Sequence, residues 1–399
     1  MMNDKNTKTN ANADTNANAN ANANANANAN ANANANADTS NTRPRWRTRP
    51  EGSTWGDFGA DDQIGRLNLL TPARRRAAAA EVVQGLAFGL SLPLDYPGGA
   101  VLNPRRHPPT LKPTELHGQP FMNQPLRLFN PRNSDVVSDD QVTMSLQYST
   151  QWDSFAHVGS WFDADGDGEP EKVYYNGYRA HEHVLGPGDR LLASCGCGEG
   201  GSYALALGVE NFAAKPIQGR GVLIDLAAHC GPGRTVVDFA RLQQIMAADQ
   251  VVVEPGDIVL FHTGFADVIL GMQRQPDADM LHRSCAVLDG RDPALLQWVT
   301  DSGVAALCAD NYAVEGYPAR EASNPDGSQS SEQSTGPRAA LPLHEHCLFK
   351  LGVPLGELWY LSELAAWLRT NRRNRFLLTA PTLRLPGAVG SPVTPVATV

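Results

Sequence analysis

The chain has 399 residues, of which 42% are hydrophobic, 19% charged and 7% aromatic, with a formal net charge of −9. Neutralising nucleic-acid phosphates needs a concentrated Lys/Arg face, and the one short basic run of this acidic chain does not supply it, so no nucleic-acid partner is expected. No stretch approaches the roughly 18 apolar residues of a membrane span and residues 1–10 lack the apolar core of a secretory signal, so a cytoplasmic protein without a membrane partner is expected.

In chain order, residues 10–37 are almost wholly alternating Asn and Ala, with no large apolar or aromatic side chain. Such a segment cannot bury enough surface to offset its chain entropy and reads as disordered. Arg43, Arg45, Arg47 and Arg49 follow and read as a solvated linker, which makes 1–53 a tail and basic linker. What remains is long enough for a sizeable core.

Thr71 before Pro72 is an N-cap followed by a proline at the first helical position, so a helix is expected over 72–85. Residues 89–95 alternate like a strand, and 97–119 form a loop rich in proline and histidine. Further strands are expected at 142–148, 221–226, 257–262 and 304–308. The first alternates, whereas the others are short, near-continuous apolar runs of the kind buried on both faces. Helices are expected at 237–248, 293–301, around 344–350 and at 361–370. Strands interspersed with helices predict an α/β domain. Residues 321–337 read as a polar surface excursion. The six cysteines contain no CxxC pair, as befits reduced thiols, and Cys195-Gly196-Cys197 is too tight for an unstrained bridge.

The densest group of metal-capable side chains is Ser149-Thr150-Gln151-Trp152-Asp153-Ser154-Phe155-Ala156-His157. Asp153 and His157 stand four apart, a spacing that converges on a helical or turn-like segment. A second group is Pro342-Leu343-His344-Glu345-His346, followed by Gly356-Glu357. A His and a Glu from it, added to Asp153 and His157, make a mixed N/O set suited to zinc or manganese. A divalent cation with an open position lowers the pKa of bound water and polarises a carbonyl, the two demands of amide, ester or lactone hydrolysis. Asp163-Ala164-Asp165-Gly166-Asp167-Gly168 imitates the start of a calcium loop, but Tyr174 stands where the twelfth-position Glu belongs, so an acidic turn is expected. Asp310-Asn311, after a buried strand, either lines a substrate pocket or ties down a loop. His183, His229 and His346 are candidates for proton transfer.

Trp55-Gly56, Asp62-Gln63-Ile64-Gly65-Arg66-Leu67-Asn68, Thr150-Gln151-Trp152-Asp153, Ala156-His157-Val158, Tyr175-Asn176-Gly177, Gly219-Arg220-Gly221, Gly256-Asp257-Ile258, Ala309-Asp310-Asn311, Pro342-Leu343-His344 and Gly356-Glu357 occur in that order. Through them the chain resembles the cyclase-like metal-dependent hydrolases, which include bacterial kynurenine formamidase (arylformamidase) and isatin hydrolase, and above all their longer members. The resemblance covers roughly 54–385, leaving 386–399 as a C-terminal tail. It implies a swivelling β/β/α domain with a mixed, barrel-like sheet, assembled as a homodimer or homotetramer.

In the formamidase branch the first motif is similar to His-x-x-x-His-x-Asp-x-x-x-His, and its positions fall here on Gln147, Gln151, Asp153 and His157. The resemblance therefore implies Asp153, His157, His344 and Glu357 as ligands of one zinc or manganese ion, with glutamines replacing two histidines. His344 is preferred over His346 by its place after Pro342-Leu343. His157, Glu357 and Gln151 are the expected catalytic residues, Gln151 orienting the water or substrate carbonyl. Trp152 and Phe155 are expected to stack on an aromatic substrate, with core packing as their alternative, and Asp310 and Asn311 complete the expected substrate set. The implied activity is hydrolysis of a C–N bond in an amide, formamide or cyclic amide of a small molecule, by attack of metal-bound water on the carbonyl. A lactone or ester hydrolase, a cyclase, and a metal-free binding protein of the same fold are the alternatives.

Overall fold

The computed structural model describes residues 45–198, 200–321 and 338–399. The Asn/Ala tail and nearly all of the 321–337 excursion lie outside the described residues. The apolar runs at 221–226, 257–262 and 304–308 become the centre of a sheet. Its strands are β1 (Ala87–Gly89), β2 (Gln151–Asp153), β3 (Gln218–Asp225), β4 (Ile258–His262), β5 (Ala306–Ala309), β6 (Leu355–Glu357), β7 (Arg375–Thr379), β8 (Gly390–Pro392) and β9 (Val396–Thr398). They lie in the order β1-β9-β7-β3-β4-β5-β6-β2-β8. β3 to β6 run parallel, and the flanking pairs are antiparallel. β4 and β5 are buried at every position, as strands covered on both faces must be. This is the expected mixed α/β architecture, with a curled, half-barrel sheet of nine strands.

Three helices show how local chemistry sets their starts. In α1 (Pro72–Ala79) Thr71 caps by accepting from the Arg74 N–H at 3.3 Å, with Pro72 at the first helical position. Asp238 does the same for α2 (Phe239–Ala248), accepting from Arg241 N–H at 2.8 Å, and Asp292 for α3 (Pro293–Ser302), accepting from Ala294 N–H at 2.9 Å. α1 ends six residues earlier than expected because the backbone N–H groups of Gln84 and Gly85 turn away to donate to the Val399 carbonyl. A fourth helix, α4 (Ser362–Thr370), matches its expected span to within a residue.

Other expectations are corrected. Residues 386–399 are not a tail: β8 and β9 are strands of the main sheet, and the chain end is tied to Gln84 and Gly85. The described part of the linker is docked rather than solvated. Trp46 packs edge-on against Trp55 at 5.7 Å, Arg45 lies 4.0 Å over the Tyr178 ring, and Arg49 donates to the Trp55 carbonyl. The strand expected at 142–148 is Asp140–Thr143, paired with Thr110–Pro113 in a ribbon outside the main sheet. The strand expected at 89–95 is β1, which ends at Gly89.

Several motifs behind the resemblance act as braces. Trp55 Nε1 donates to the Phe349 carbonyl at 2.8 Å, and Asp62 accepts from Gly65 N–H at 2.8 Å and from Asn68 Nδ2 at 2.7 Å. The Asn176 amide donates to the carbonyls of Gly59, Ala60 and Asp62, and Arg220 grips the buried Asp257 through two bonds of 2.8 and 3.0 Å. Among the described residues no helix is long and apolar enough to cross a membrane.

Candidate metal centre and cleft

Strand register builds the site. β2 and β6 are antiparallel with Gln151 opposite Glu357, Trp152 opposite Gly356 and Asp153 opposite Leu355. Side chains alternate along a strand, so Gln151, Asp153 and Glu357 share one face while Trp152 points to the other. There Trp152 meets Trp359 at 5.1 Å, and a Cβ on Gly356 would lie 2.8 Å from Trp359 Nε1 and 2.9 Å from Cys308 Sγ. Glycine at 356 thus lets the tryptophan pair pack directly behind the carboxylates. On the outer side β8 places Gly390 beside Asp153, where a Cβ would lie 2.3 Å from Gln147 Cγ. The space is taken by Gln147, whose amide donates to Asp153 Oδ1.

His344 arrives from another element. The chain makes one α-turn at Pro342–His344 and widens into a π-helix over Glu345–Leu351, which Gly352 ends at φ +58°. Buried Glu315 holds the start of this turn, accepting from the backbone N–H groups of Leu343 and His344, each at 3.0 Å, and meeting His344 Nδ1 at 2.8 Å. A proton on Nδ1 donated to Glu315 leaves Nε2 facing Glu357 Oε1, 3.1 Å away.

Asp153, His344 and Glu357 thus come together, all buried, each with one donor atom within 4.8 Å of the others'. The Gln151 amide sits between the carboxylates, donating to Asp153 Oδ1 at 3.2 Å and Glu357 Oε2 at 3.1 Å. Asp153 Oδ2 and Gln151 Oε1 are buried with no hydrogen-bond partner. Three buried carboxylates surround one imidazole, and the electrostatics reflect the crowding. Burial, and then the Asp153 charge, raise the Glu357 pKa. Burial alone would lower that of His344, but the carboxylates of Glu315 and Glu357 at its two nitrogens raise it. Excess buried negative charge and two unpartnered acceptors are what a bound cation would satisfy.

His344, Glu357 and His157 open onto a cleft of about 130 Å³, whose other walls include Arg105, Arg106, Tyr148 and Tyr312. His157 is not one of the three clustered donors. It stands on the turn after β2, its N–H donating to the Ser154 carbonyl at 3.0 Å, so Asp153 belongs to a strand and not to a helical segment shared with His157. Burial lowers its pKa, which favours the neutral imidazole.

Other expected site residues lie elsewhere. Trp152 donates to the Ala380 carbonyl at 2.9 Å, and Phe155 packs on Tyr175 and Phe212 at 4.9 and 5.1 Å, so both are core. Asp310 binds the N–H groups of Thr263 and Gly264, each at 2.8 Å, and Asn311 ties Val314 N–H at 2.7 Å; both hold loops and neither lines the cleft. His346 faces Thr300 Oγ1 at 2.9 Å, His229 pairs with Asp249, and His183 accepts from Arg179 N–H, which removes all three from the cleft. A separate Asp225–His262–Ser362 run imitates a nucleophile triad, with contacts of 2.8 and 3.3 Å. The Ser362 hydroxyl, however, donates to Asp267 at 2.6 Å, so its proton is not directed at the imidazole.

Sequence reasoning missed Glu315. Its signal was a lone carboxylate in Ala313-Val314-Glu315-Gly316, just beyond an apolar strand.

The model of the family described as "Putative cyclase" matches residues 71–316. The chain belongs to this cyclase family. A crystal structure of a novel cyclase is 30% identical, with 87% of this chain and 97% of that chain covered and a TM-score of 0.63. Weaker similarity, 14% identity and a TM-score of 0.48, reaches isatin hydrolase A from Ralstonia solanacearum, covering 82% of this chain and 97% of that one. A predicted metal-dependent hydrolase from Bacillus stearothermophilus is 13% identical at a TM-score of 0.41, with 79% and 98% covered. A search of curated proteins finds no match.

Proposed function

We propose that the protein is a metal-dependent hydrolase of a small-molecule amide, formamide or cyclic amide. The observation that supports this reading is the buried Asp153–His344–Glu357 group, with Asp153 Oδ2 and the neighbouring Gln151 Oε1 left without partners, opening onto a cleft. The donors fit a divalent ion of the zinc or manganese type, since one imidazole and two carboxylates form a mixed N/O set. Asp153, His344 and Glu357 would hold it, with the Gln151 amide oxygen close by. When bound, such an ion supplies Lewis-acid polarisation of a carbonyl and acidification of water.

The protein's own groups do the rest. Gln147 and Gln151 fix the two carboxylates, and Glu315 sets the tautomer and orientation of His344. His157 makes no side-chain hydrogen bond among the described residues and faces the cleft. It is the imidazole placed to take a proton from the attacking water and return it to the departing nitrogen. We therefore assign His157 to proton transfer and leave the metal to the other three. A lactone or ester would need the same groups with less help at the leaving atom. The homodimer or homotetramer implied by the resemblance is retained as a proposal, as is a cytoplasmic location.

Elemental analysis of the full chain and of Asp153→Ala tests the metal, and a screen of N-formyl arylamines, cyclic amides and lactones tests the chemistry. About one equivalent of zinc or manganese, absent from the variant, is the expected result. No metal in the parent after reconstitution with either ion would overturn the reading and favour a metal-free binding protein. His157→Gln is expected to keep its metal while turnover falls about 10²–10⁴-fold.

A further inference from the structure

The lining of the cleft carries positive charge that no carboxylate partner compensates. Arg105 and Arg106 both line it, and Glu357 is the sole carboxylate among the described residues that do. No ion pair joins either guanidinium to a carboxylate among the described residues. That is unlike Arg220 on Asp257, Arg179 on Glu171 or Arg74 on Glu254. If Glu357 and Asp153 neutralise a divalent ion, the mouth of the cleft keeps two uncompensated positive charges in a chain whose net charge is −9.

The arginines are positioned by an ordered turn. Arg106 N–H donates to the Asn103 carbonyl at 3.0 Å, Arg105 N–H to Asn103 Oδ1 at 3.1 Å, and His107 N–H to Ser145 Oγ at 3.0 Å. Arg106 Nη1 donates to the Gln147 carbonyl at 2.7 Å, which anchors its head on the segment leading into the strand that carries Asp153 and leaves its remaining N–H groups available. Tyr148 secures the preceding backbone, its hydroxyl accepting from Gly98 N–H at 3.0 Å and donating to the Gly99 carbonyl at 2.9 Å.

We propose that Arg105 and Arg106 form an anion-recognition wall that selects substrates bearing a carboxylate, held away from the bond that is cut. This rests on the hydrolase reading of the cleft. A guanidinium fork matches a carboxylate through paired N–H donors, and a charge-assisted bond of this kind is about twice as strong as a neutral one. Tyr312 and Tyr148 line the same cleft and supply flat surface, which suits an aryl ring carrying the carboxylate at one end and the scissile amide at the other.

The test uses the metal-loaded full chain with 3-formamidobenzoate and its neutral counterpart 3-formamidobenzamide. The readout is the ratio of their kcat/KM values, so a general loss of folding or metal divides out. The parent is expected to favour the carboxylate by at least about tenfold, and Arg105→Gln with Arg106→Gln to bring the ratio to within about twofold of unity through a raised KM for the anion. Calorimetric titration with 3-aminobenzoate and 3-aminobenzamide gives a second readout independent of turnover. If neither formamide is hydrolysed but the parent binds the benzoate preferentially and the double variant does not, the hydrolase reading on formamides fails and the anion wall stands. A parent without preference by either measurement, or a preference that survives the double substitution, would overturn the proposal.

Discussion

Two clusters of acidic side chains in this chain have the composition of a cation site, and they differ in what their oxygens already do. Asp163, Asp165 and Asp167 bring three carboxylates together on a loop. Asp163 accepts from the backbone N–H groups of Gly166, Asp167 and Gly168 at 2.7 to 3.1 Å, and Asp167 accepts from Glu169 N–H at 2.8 Å. Those carboxylates are the braces of a turn, and water reaches them. Asp153, His344 and Glu357 are buried, and Asp153 Oδ2 is an acceptor with no partner. Leaving a charged acceptor buried and unsatisfied costs several kcal/mol on general grounds, so the second arrangement makes physical sense around a cation and the first does not require one.

The largest effects should follow from removing one member of each cluster. Asp153→Ala or Glu357→Ala is expected to abolish bound metal and lower turnover by on the order of 10³-fold or more, whereas Asp163→Ala should leave both unchanged. Elemental analysis beside initial rates reads both arms. Metal that followed Asp163 instead would reverse the comparison.

Glu315→Gln probes the support behind the ligands. It keeps the volume but weakens the acceptor at His344 Nδ1, so metal affinity should fall about 10–100-fold by competition with a chelating dye while the fold persists. An unchanged affinity would mean that Glu315 merely braces the turn at Leu343. Gly390→Ala acts one step further out. Its Cβ would fall 2.3 Å from Gln147 Cγ and force that amide off Asp153, with an expected loss of about 1–3 kcal/mol in chemical denaturation.

How much of this could be read from the sequence depended on which physical signal each residue carried. The buried strands were visible because continuous apolar runs such as Val222-Leu223-Ile224 have few other uses. The alternation in Gln151-Trp152-Asp153 was also available, and it places Trp152 opposite the two polar side chains. Its bulk was nonetheless expected at the substrate, because aromatic character does not separate a core wall from a binding wall. β8 and β9 are three residues each, and Gly390, Pro392 and Pro395 around them look like loop chemistry. Glu315 and the two cleft arginines depend on long-range contacts between elements far apart in the chain. No local period announces them.

The smallest expected effect concerns a carboxylate whose charge the protein itself balances. Burial of Asp225 would raise its pKa, but His262 at 2.8 Å and the Arg369 guanidinium hold it at about 2. A carboxyl whose folded pKa lies below its unfolded value contributes stability that is fully present above the unfolded pKa. That contribution is lost as the pH falls toward the folded one. The window here runs from about pH 4 down to about pH 2, from the ordinary aspartate value of 3.8 to the depressed one. Because the Arg369 side chain is 56% exposed, screening trims the contribution to about 1–2 kcal/mol. Asp225→Asn should flatten the urea-unfolding free energy across that window relative to the parent. It should leave bound metal untouched at neutral pH, because Asp225 has its own cations while Asp153 and Glu357 share a single imidazole. If instead the variant lost metal, the separation between carboxylates balanced internally and carboxylates that need an ion would fail at its clearest contrast.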